Sequence, residues 1–120
     1  FPPERNELVR QGITLNLKAI ICQRLIPSGK RDIRIVPMAE VMIVNPTIQK
    51  LIQNKEDKMI QDIMRSTMDE GMQDFNNSLY QLIKDGLVTE ETALKFSPNS
   101  AQLKMQLQGI TLTDDHKIIR

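Results

Sequence analysis

The sequence predicts a mainly α-helical chain of the α+β class, with a helix and two strands first and short helices after them. Short apolar runs separated by turn residues fill the first 44 positions, which is typical of strands. From Asn45 onward, apolar residues recur at helical spacing. Asn45-Pro46 and Gly86 are typical helix-starting and helix-ending residues. A length of 120 residues suits one domain or part of a larger one.

The first region predicts one helix and two strands. We expect the helix at about residues 4–17. The apolar run over residues 18–26 predicts a strand that ends at Pro27-Ser28-Gly29, and residues 34–43 predict a second strand. Pro37 within the second run indicates an edge position or a bulge. Two strands are few for a sheet, so we expect others upstream, and the start at Phe1 rather than methionine also suggests part of a longer protein.

The second region predicts five short helices. The first is expected over Pro46–Lys55, with Asn45 as the N-cap and Pro46 at the first helical position, and it buries Ile48, Leu51 and Ile52. Later helices are expected at about residues 58–70, from an Asp74 cap to Gly86, from a Thr89 cap to Ser97-Pro98 and from a Ser100 cap to Gly109, followed by a flexible tail over residues 111–120. Glycines or a Ser-Pro pair should end these helices, at Gly71, Gly86, Ser97-Pro98 and Gly109. We expect their faces to meet in one bundle through Ile48, Leu51, Ile52, Ile60, Ile63, Met64, Phe75, Leu79, Leu82, Leu94 and Leu103.

Composition excludes several classes of function. Lys+Arg 16 against Asp+Glu 15 gives a formal net charge of +1 without a basic stripe, and aromatic residues make up only 3%, so we expect no nucleic-acid partner. One cysteine and one histidine exclude a disulfide within the chain, a multi-cysteine zinc site and a histidine-pair metal site. The apolar runs are too short to cross a bilayer, so direct membrane insertion is not expected.

Few residues suggest chemistry of their own. Ser28-Gly29-Lys30-Arg31 resembles a phosphate-binding loop, but the first glycine and the final hydroxyl of G-x-x-x-x-G-K-[ST] are missing, so we interpret it as a polar turn. Cys22 lies in an apolar run, where we expect a packed, inert thiol. Glu40 inside a strand could be a functional acid, but pairing with an arginine is the more ordinary expectation. His116 is expected in the solvated tail.

Four ordered segments resemble one known family. Gln23-Arg24-Leu25 before Pro27 has the pattern Q-R-L-x-P, and the stretch from Glu40 through Ile48, Leu51 and Ile52 has the pattern E-V-x-I-x-x-P-x-I-x-x-L-I. The third pattern, G-M-Q-x-F-x-x-x-L, is matched from Gly71 and includes Met72 and Phe75. The fourth pattern, G-x-[IV]-x-x-E-x-A-L, is matched from Gly86. Their order and spacing resemble the C-terminal part of the type IV pilus retraction ATPases, in the type II/IV secretion ATPase superfamily.

The resemblance implies a fold and a parent activity. It implies that residues 1–44 end a RecA-like domain and that residues 45–110 form a helical C-terminal subdomain. The longer protein would be a homohexameric ATPase that uses ATP and magnesium, powers pilus retraction and twitching motility, and works on the pilus platform at the inner membrane. It would be cytoplasmic and peripheral to that membrane. The family's nucleotide-binding motifs lie upstream, so we expect no catalytic, cofactor or metal site in these 120 residues.

The helix after Asn45 is where the sequence departs most from the family pattern. The retraction family has A-I-R-N-L-I-R-E-G-K, whereas two glutamines replace the arginines here and Lys55-Glu56 replaces the Gly-Lys pair. The apolar positions are kept. Because the opposite face carries little charge, we hypothesise that it contacts another subunit or the pilus machinery, through Gln49, Lys50, Gln53 and Asn54. For this face the alternative is a solvated surface without function. For the chain the alternatives are a retraction-accessory paralogue, a non-enzymatic helical adaptor, or part of a pilus-assembly or secretion ATPase.

Overall fold

The computed structural model describes residues 2–67 and 70–119, with side chains described through residue 109. Within these residues the predicted mainly helical α+β composition is confirmed. The elements are α1 (Pro3–Asn16), β1 (Ala19–Pro27), β2 (Ile35–Ile43), α2 (Pro46–Gln53), a 3₁₀ turn (Asp57–Met59), α3 (Ile60–Ser66), α4 (Phe75–Lys84), α5 (Glu90–Phe96) and α6 (Ser100–Ile119).

β1 and β2 form an antiparallel hairpin. The bond from Ser28 N to Arg34 O, at 3.0 Å, fixes a register that places Ile26 opposite Val36, and both side chains are buried. In the described part of the chain β1 pairs only with β2, and Ile26 is its one buried residue. Cys22 is exposed, as are all residues of β1 other than Ile26, so the expectation of a packed thiol is wrong.

The chain divides into two compact units, and each has its own apolar core. The first unit comprises Phe1–Cys22 and Glu40–Asp74. Its core is rich in methionine and consists of Met42, Ile48, Leu51, Ile52, Met64 and Met72. Methionine is flexible enough to fill the irregular space between short helices.

The second unit comprises Gln23–Ala39 and Phe75–Arg120. Its core consists of Ile26, Val36, Met38, Leu79, Val88, Ala93 and Leu103. The apolar residues expected to meet in one bundle are therefore divided between two cores, because helical periodicity identifies a buried face but not the partner that covers it. The boundaries 1–44, 45–110 and 111–120 stay a prediction.

Two helix ends differ from the sequence-based expectation. α3 ends at Ser66, not near residue 70, and the hydroxyls of Ser66 and Thr67 both donate to the Ile63 carbonyl. Such local bonds compete with helix continuation. α6 continues past Gly109, since an interior glycine costs only about 1 kcal/mol relative to alanine. The side chains of residues 111–120, His116 among them, lie outside the described residues, and the flexible tail stays a prediction.

Candidate interaction surface on helix α2

α2 begins where the sequence predicts. The Asn45 side-chain oxygen accepts a hydrogen bond from the Ile48 amide at 2.8 Å, and Pro46 occupies the first turn. The Asn45 side-chain amide also donates to a Glu70 carboxylate oxygen at 2.9 Å. The cap therefore fixes the first turn of α2 and connects it to the chain that follows α3.

The apolar face of α2 lies in the core of the first unit, as predicted. Ile48 is fully buried, and Leu51 and Ile52 are nearly so. Spacing of three and four residues places these side chains on one side of the helix. This face orients α2, and the opposite side points away from the core.

α2 ends in a Schellman turn. The Glu56 amide donates to the Leu51 carbonyl at 2.8 Å, and the Lys55 amide donates to the Ile52 carbonyl at 3.2 Å. Lys55 has a φ of 60°, the only positive φ of a non-glycine residue in the described part of the chain. Glycine usually fills this position, because a Cβ atom makes the left-handed conformation unfavourable.

Arg10 of α1 connects to the same end of α2. Its Nη1 atom donates to the Ile52 carbonyl at 2.8 Å. Its guanidinium also donates to both carboxylate oxygens of Asp57, at 3.0 and 3.2 Å. This two-point bond holds the pKa of the Asp57 carboxyl below its usual value and raises the pKa of Arg10. One side chain thus joins α1, the last turn of α2 and the 3₁₀ turn.

Two further polar contacts connect α1 to α2. The Gln49 side-chain amide donates to the Thr14 carbonyl at 3.2 Å, and Thr14 is buried. Lys55 Nζ lies 3.4 Å from a Glu7 carboxylate oxygen, with both side chains more than half exposed. Together with Arg10, these contacts distribute the attachment of α2 to α1 over its length.

The structure separates the four residues proposed to make contacts. Gln49 is half-buried and uses its amide within the unit, whereas Lys50, Gln53 and Asn54 are exposed. Spacing of three and four residues aligns these three along one side of α2. We call this trio the outer α2 face. It is polar, and Lys50 carries its only charge.

The Gly71-Met72-Gln73 segment supports the first unit by pairing with β2. Val41 and Gln73 exchange two main-chain hydrogen bonds, at 2.8 and 3.0 Å. Met72, next to Gln73, is buried in the core of the first unit, and Gly71 has a φ of 92°. The α3 helix that was expected to end at Gly71 ends at Ser66, and Gly71 directly follows Glu70, which has 3₁₀ conformation. The positive φ of Gly71 turns the chain toward β2.

The other family-motif positions have structural surroundings. Gln23 and Arg24 lie on β1 and are exposed, and the Arg24 guanidinium is 5.9 Å from the centre of the Phe96 ring. Glu40 on β2 is half-buried. Phe75 packs against the core of the second unit. Gly86 ends α4 with a φ of 74°, as predicted.

The turn at Ser28-Gly29-Lys30-Arg31 does not fit a nucleotide phosphate. A phosphate-binding loop needs free backbone amides that point at the ligand. Here the Gly29 amide donates to the Leu87 carbonyl at 2.8 Å, and the Lys30 amide donates to the Ser28 hydroxyl oxygen at 3.0 Å. Both amides are already in use, so neither is available to a phosphate.

No cluster of three or more His, Cys, Asp or Glu side chains in the described residues could hold a metal ion. None of the described helices combines the length and the apolar character that a bilayer crossing requires.

Sequence reasoning missed Arg10, Asp57 and Thr14. Arg10 and Asp57 are 47 residues apart, and each looks like an ordinary surface charge in its own segment. The sequence does contain a sign of the turn at Lys55, because Lys55 stands where the resembled family has the glycine of its Gly-Lys pair.

Two curated proteins resemble this chain in sequence. The type IV pilus ATPase PilU of Pseudomonas aeruginosa is 33% identical over 121 residues, which is 97% of this chain and 30% of PilU. A twitching motility protein of Neisseria gonorrhoeae is 30% identical over 103 residues, or 86% of this chain and 27% of that protein. The chain thus spans less than a third of the relatives that it matches. No protein-family model matches it.

Solved structures agree with these relatives. The pilus retraction motor PilT, crystallised with bound ADP, matches with a TM-score of 0.75 and 32% identity over 88% of this chain and 28% of the PilT chain. The ATPase DotB of Legionella pneumophila matches with a TM-score of 0.59 and 16% identity over 78% of this chain and 25% of its own, which shows the fold alone. Over nearly its whole length, the chain is thus homologous to part of the PilU and twitching-motility proteins.

Proposed function

We propose that these 120 residues are the C-terminal part of a homohexameric motor ATPase that powers type IV pilus retraction and twitching motility. The observation that carries the proposal is the match to PilU over 97% of the chain, together with the TM-score of 0.75 to the retraction motor PilT. ATP and magnesium would bind elsewhere in the longer protein, since the amides of the turn at residues 28–31 are engaged internally. The motor would work in the cytoplasm at the inner membrane.

Within this motor, the outer α2 face passes movement to a partner. α2 is held by its buried apolar face, by the Asn45 cap and by Arg10, so its outer side is presented on a rigid element. A rigid face loses little conformational entropy when it makes a contact. Lys50, Gln53 and Asn54 supply donors and acceptors on that face. The partner is a neighbouring subunit of the ring or the pilus platform.

The test is the double substitution Lys50→Ala with Gln53→Ala in the full-length protein. Both side chains are exposed, so stability should change by no more than about 0.5 kcal/mol per substitution. ATP hydrolysis by the purified protein should stay within about twofold of the unsubstituted rate, whereas twitching motility of cells should fall severalfold.

A matched control is Lys104→Ala with Gln108→Ala, which removes the same two residue types from exposed positions on α6. The control should leave motility unchanged. Normal motility in the α2 variant would contradict the proposed surface. Loss of ATP hydrolysis together with motility would show instead that the substitutions damage the motor itself.

A further inference from the structure

Arg10 makes three side-chain hydrogen bonds to residues of the first unit that are far from it in the sequence. Its guanidinium donates to the Ile52 carbonyl and to both Asp57 oxygens, which lie 42 and 47 residues along the chain. Its side chain is 28% exposed, so the group is partly shielded from water. Planar two-point bonding of this kind fixes an angle as well as a distance.

The contact falls on the carbonyl that closes the end of α2. Ile52 O accepts from both the Lys55 amide and Arg10 Nη1. A positive charge at a helix C-terminus is favourable because the unpaired carbonyls there carry partial negative charge. Arg10 therefore supports the turn in which Lys55 holds a left-handed conformation.

The other links between α1 and α2 are weaker. Lys55 and Glu7 are 3.4 Å apart and more than half exposed, and exposed ion pairs contribute little. Gln49 makes one neutral bond of 3.2 Å to a carbonyl. Among these contacts, Arg10 is the one that combines charge, partial shielding and more than one partner.

We propose that Arg10 is a positioning residue that joins α1 and α2 into one mechanical element, so that a displacement of α1 reaches the outer α2 face. This inference rests on the proposed function, because it concerns the route by which movement arrives at that face. Arg10 touches no substrate and acts through α2. The side chain sets the orientation of the last turn of α2, next to Gln53 and Asn54.

The first experiment measures positioning without any motility readout. Hydrogen exchange of the Lys55 and Glu56 amides, which close the turn, is followed in the full-length protein. Arg10→Lys keeps the charge but loses the rigid planar fork that bonds both Asp57 oxygens and the Ile52 carbonyl. We expect these two amides to exchange about tenfold faster in Arg10→Lys. The matched control is Arg5→Lys, an exposed arginine on the same helix, which should leave exchange unchanged.

The second experiment measures coupling. Arg10→Lys and Asp57→Asn should each lower twitching motility severalfold while ATP hydrolysis continues, and the double variant should be no worse than either single one, since both remove the same contact. Unchanged exchange at Lys55 and Glu56 in Arg10→Lys overturns the inference. A parallel loss of hydrolysis, motility and folded protein also overturns it, because that is the pattern of a merely structural residue.

The same variants separate this inference from the proposed function. If the Lys50→Ala, Gln53→Ala protein loses motility but Arg10→Lys and Asp57→Asn keep it, the role of Arg10 is refuted and the outer α2 face stands. If the α2-face variant keeps motility, the proposed surface is refuted, and the proposed transmission through Arg10 falls with it. Faster exchange with lost motility in Arg10→Lys, beside a normal Arg5→Lys control, supports the inference.

Discussion

The ends of α2 and α4 have the same hydrogen-bond pattern but different residues at the turning point. At the end of α4 the Leu87 amide donates to the Leu82 carbonyl at 2.9 Å, and the Gly86 amide donates to the Ile83 carbonyl at 3.0 Å. The corresponding bonds at the end of α2 measure 2.8 and 3.2 Å. Yet the residue in the left-handed conformation is Gly86 in one turn and a lysine in the other.

The difference shows two ways to end a helix. Gly86 adopts a φ of 74° without a steric cost, so the local sequence is sufficient. Lys55 adopts a φ of 60°, and this left-handed conformation costs a residue with a Cβ atom roughly 1–2 kcal/mol, so tertiary contacts must hold it. Arg10 bonds the Ile52 carbonyl in this turn, which is such a contact. We infer that the α4 end is specified locally and the α2 end by its surroundings.

The largest expected effect on stability comes from truncating a buried core side chain of α4. Leu79 lies on α4 and is fully buried, so Leu79→Ala should leave a cavity and lower the free energy of unfolding by about 2–5 kcal/mol. The measurement is the urea midpoint of the chain. Met105→Ala is the control, because that side chain is 70% exposed and its loss should change little. A midpoint for Leu79→Ala equal to that of the unsubstituted chain would contradict the face assignment of α4.

The next effect tests whether glycine is needed at the α4 end. A Cβ added at Gly86 would meet no atom within 4 Å, so Gly86→Ala should destabilise through backbone strain alone, by about 1 kcal/mol. Gly12→Ala is a control of opposite sign. Gly12 lies inside α1, also with open space around it, and alanine should stabilise that helix by about 1 kcal/mol. Equal effects of the two substitutions would show that the positive φ carries no cost.

The two helix ends also show what the sequence can and cannot predict. Gly86 and the Asn45-Pro46 start were predicted because glycine, asparagine and proline have strong local preferences. The end of α2 near Lys55 is also expected, but the left-handed conformation of Lys55 is not, since lysine has no such preference. The Gly-Lys pair of the resembled family stands at this position, but only the φ of 60° shows that Lys55 is in a left-handed turn.

The candidate surface was predicted in part for a similar reason. Helical periodicity correctly placed Ile48, Leu51 and Ile52 in the core and the polar residues opposite them. It could not show that Gln49 bonds Thr14, 35 residues earlier in the chain. Pairing between distant polar groups depends on how elements pack, and it leaves no periodic pattern in the sequence.

A smaller effect should appear when Lys55 is changed. Lys55→Gly removes the left-handed strain of about 1–2 kcal/mol and adds a glycine entropy cost of about 0.5–1 kcal/mol, so a net stabilisation of about 0.5 kcal/mol is expected. Lys55→Ala is the matched control, because it also loses the Glu7 contact but keeps the strain. If the two variants have the same urea midpoint, the turn at Lys55 is not strained.

The smallest effect is a dependence on pH, and it belongs to the tertiary contact rather than to the turn itself. The hydrogen bonds from Arg10 lower the pKa of Asp57 in the folded chain. A carboxyl whose pKa is lower in the folded than in the unfolded chain stabilises the fold above its unfolded pKa, and this contribution disappears as the pH falls through the folded pKa. The raised pKa of Arg10 matters only at strongly alkaline pH, where its contribution would be lost as the pH rises.

We therefore expect Asp57→Asn to lower the urea midpoint at pH 7 and to approach the midpoint of the unsubstituted chain in acid. Glu56→Gln, which removes an exposed carboxylate at the neighbouring position, is the control for a change of net charge. The effect is small because the Asp57 side chain is 56% exposed, and a gap between the two midpoints that stayed constant from neutral to acidic pH would contradict the assignment.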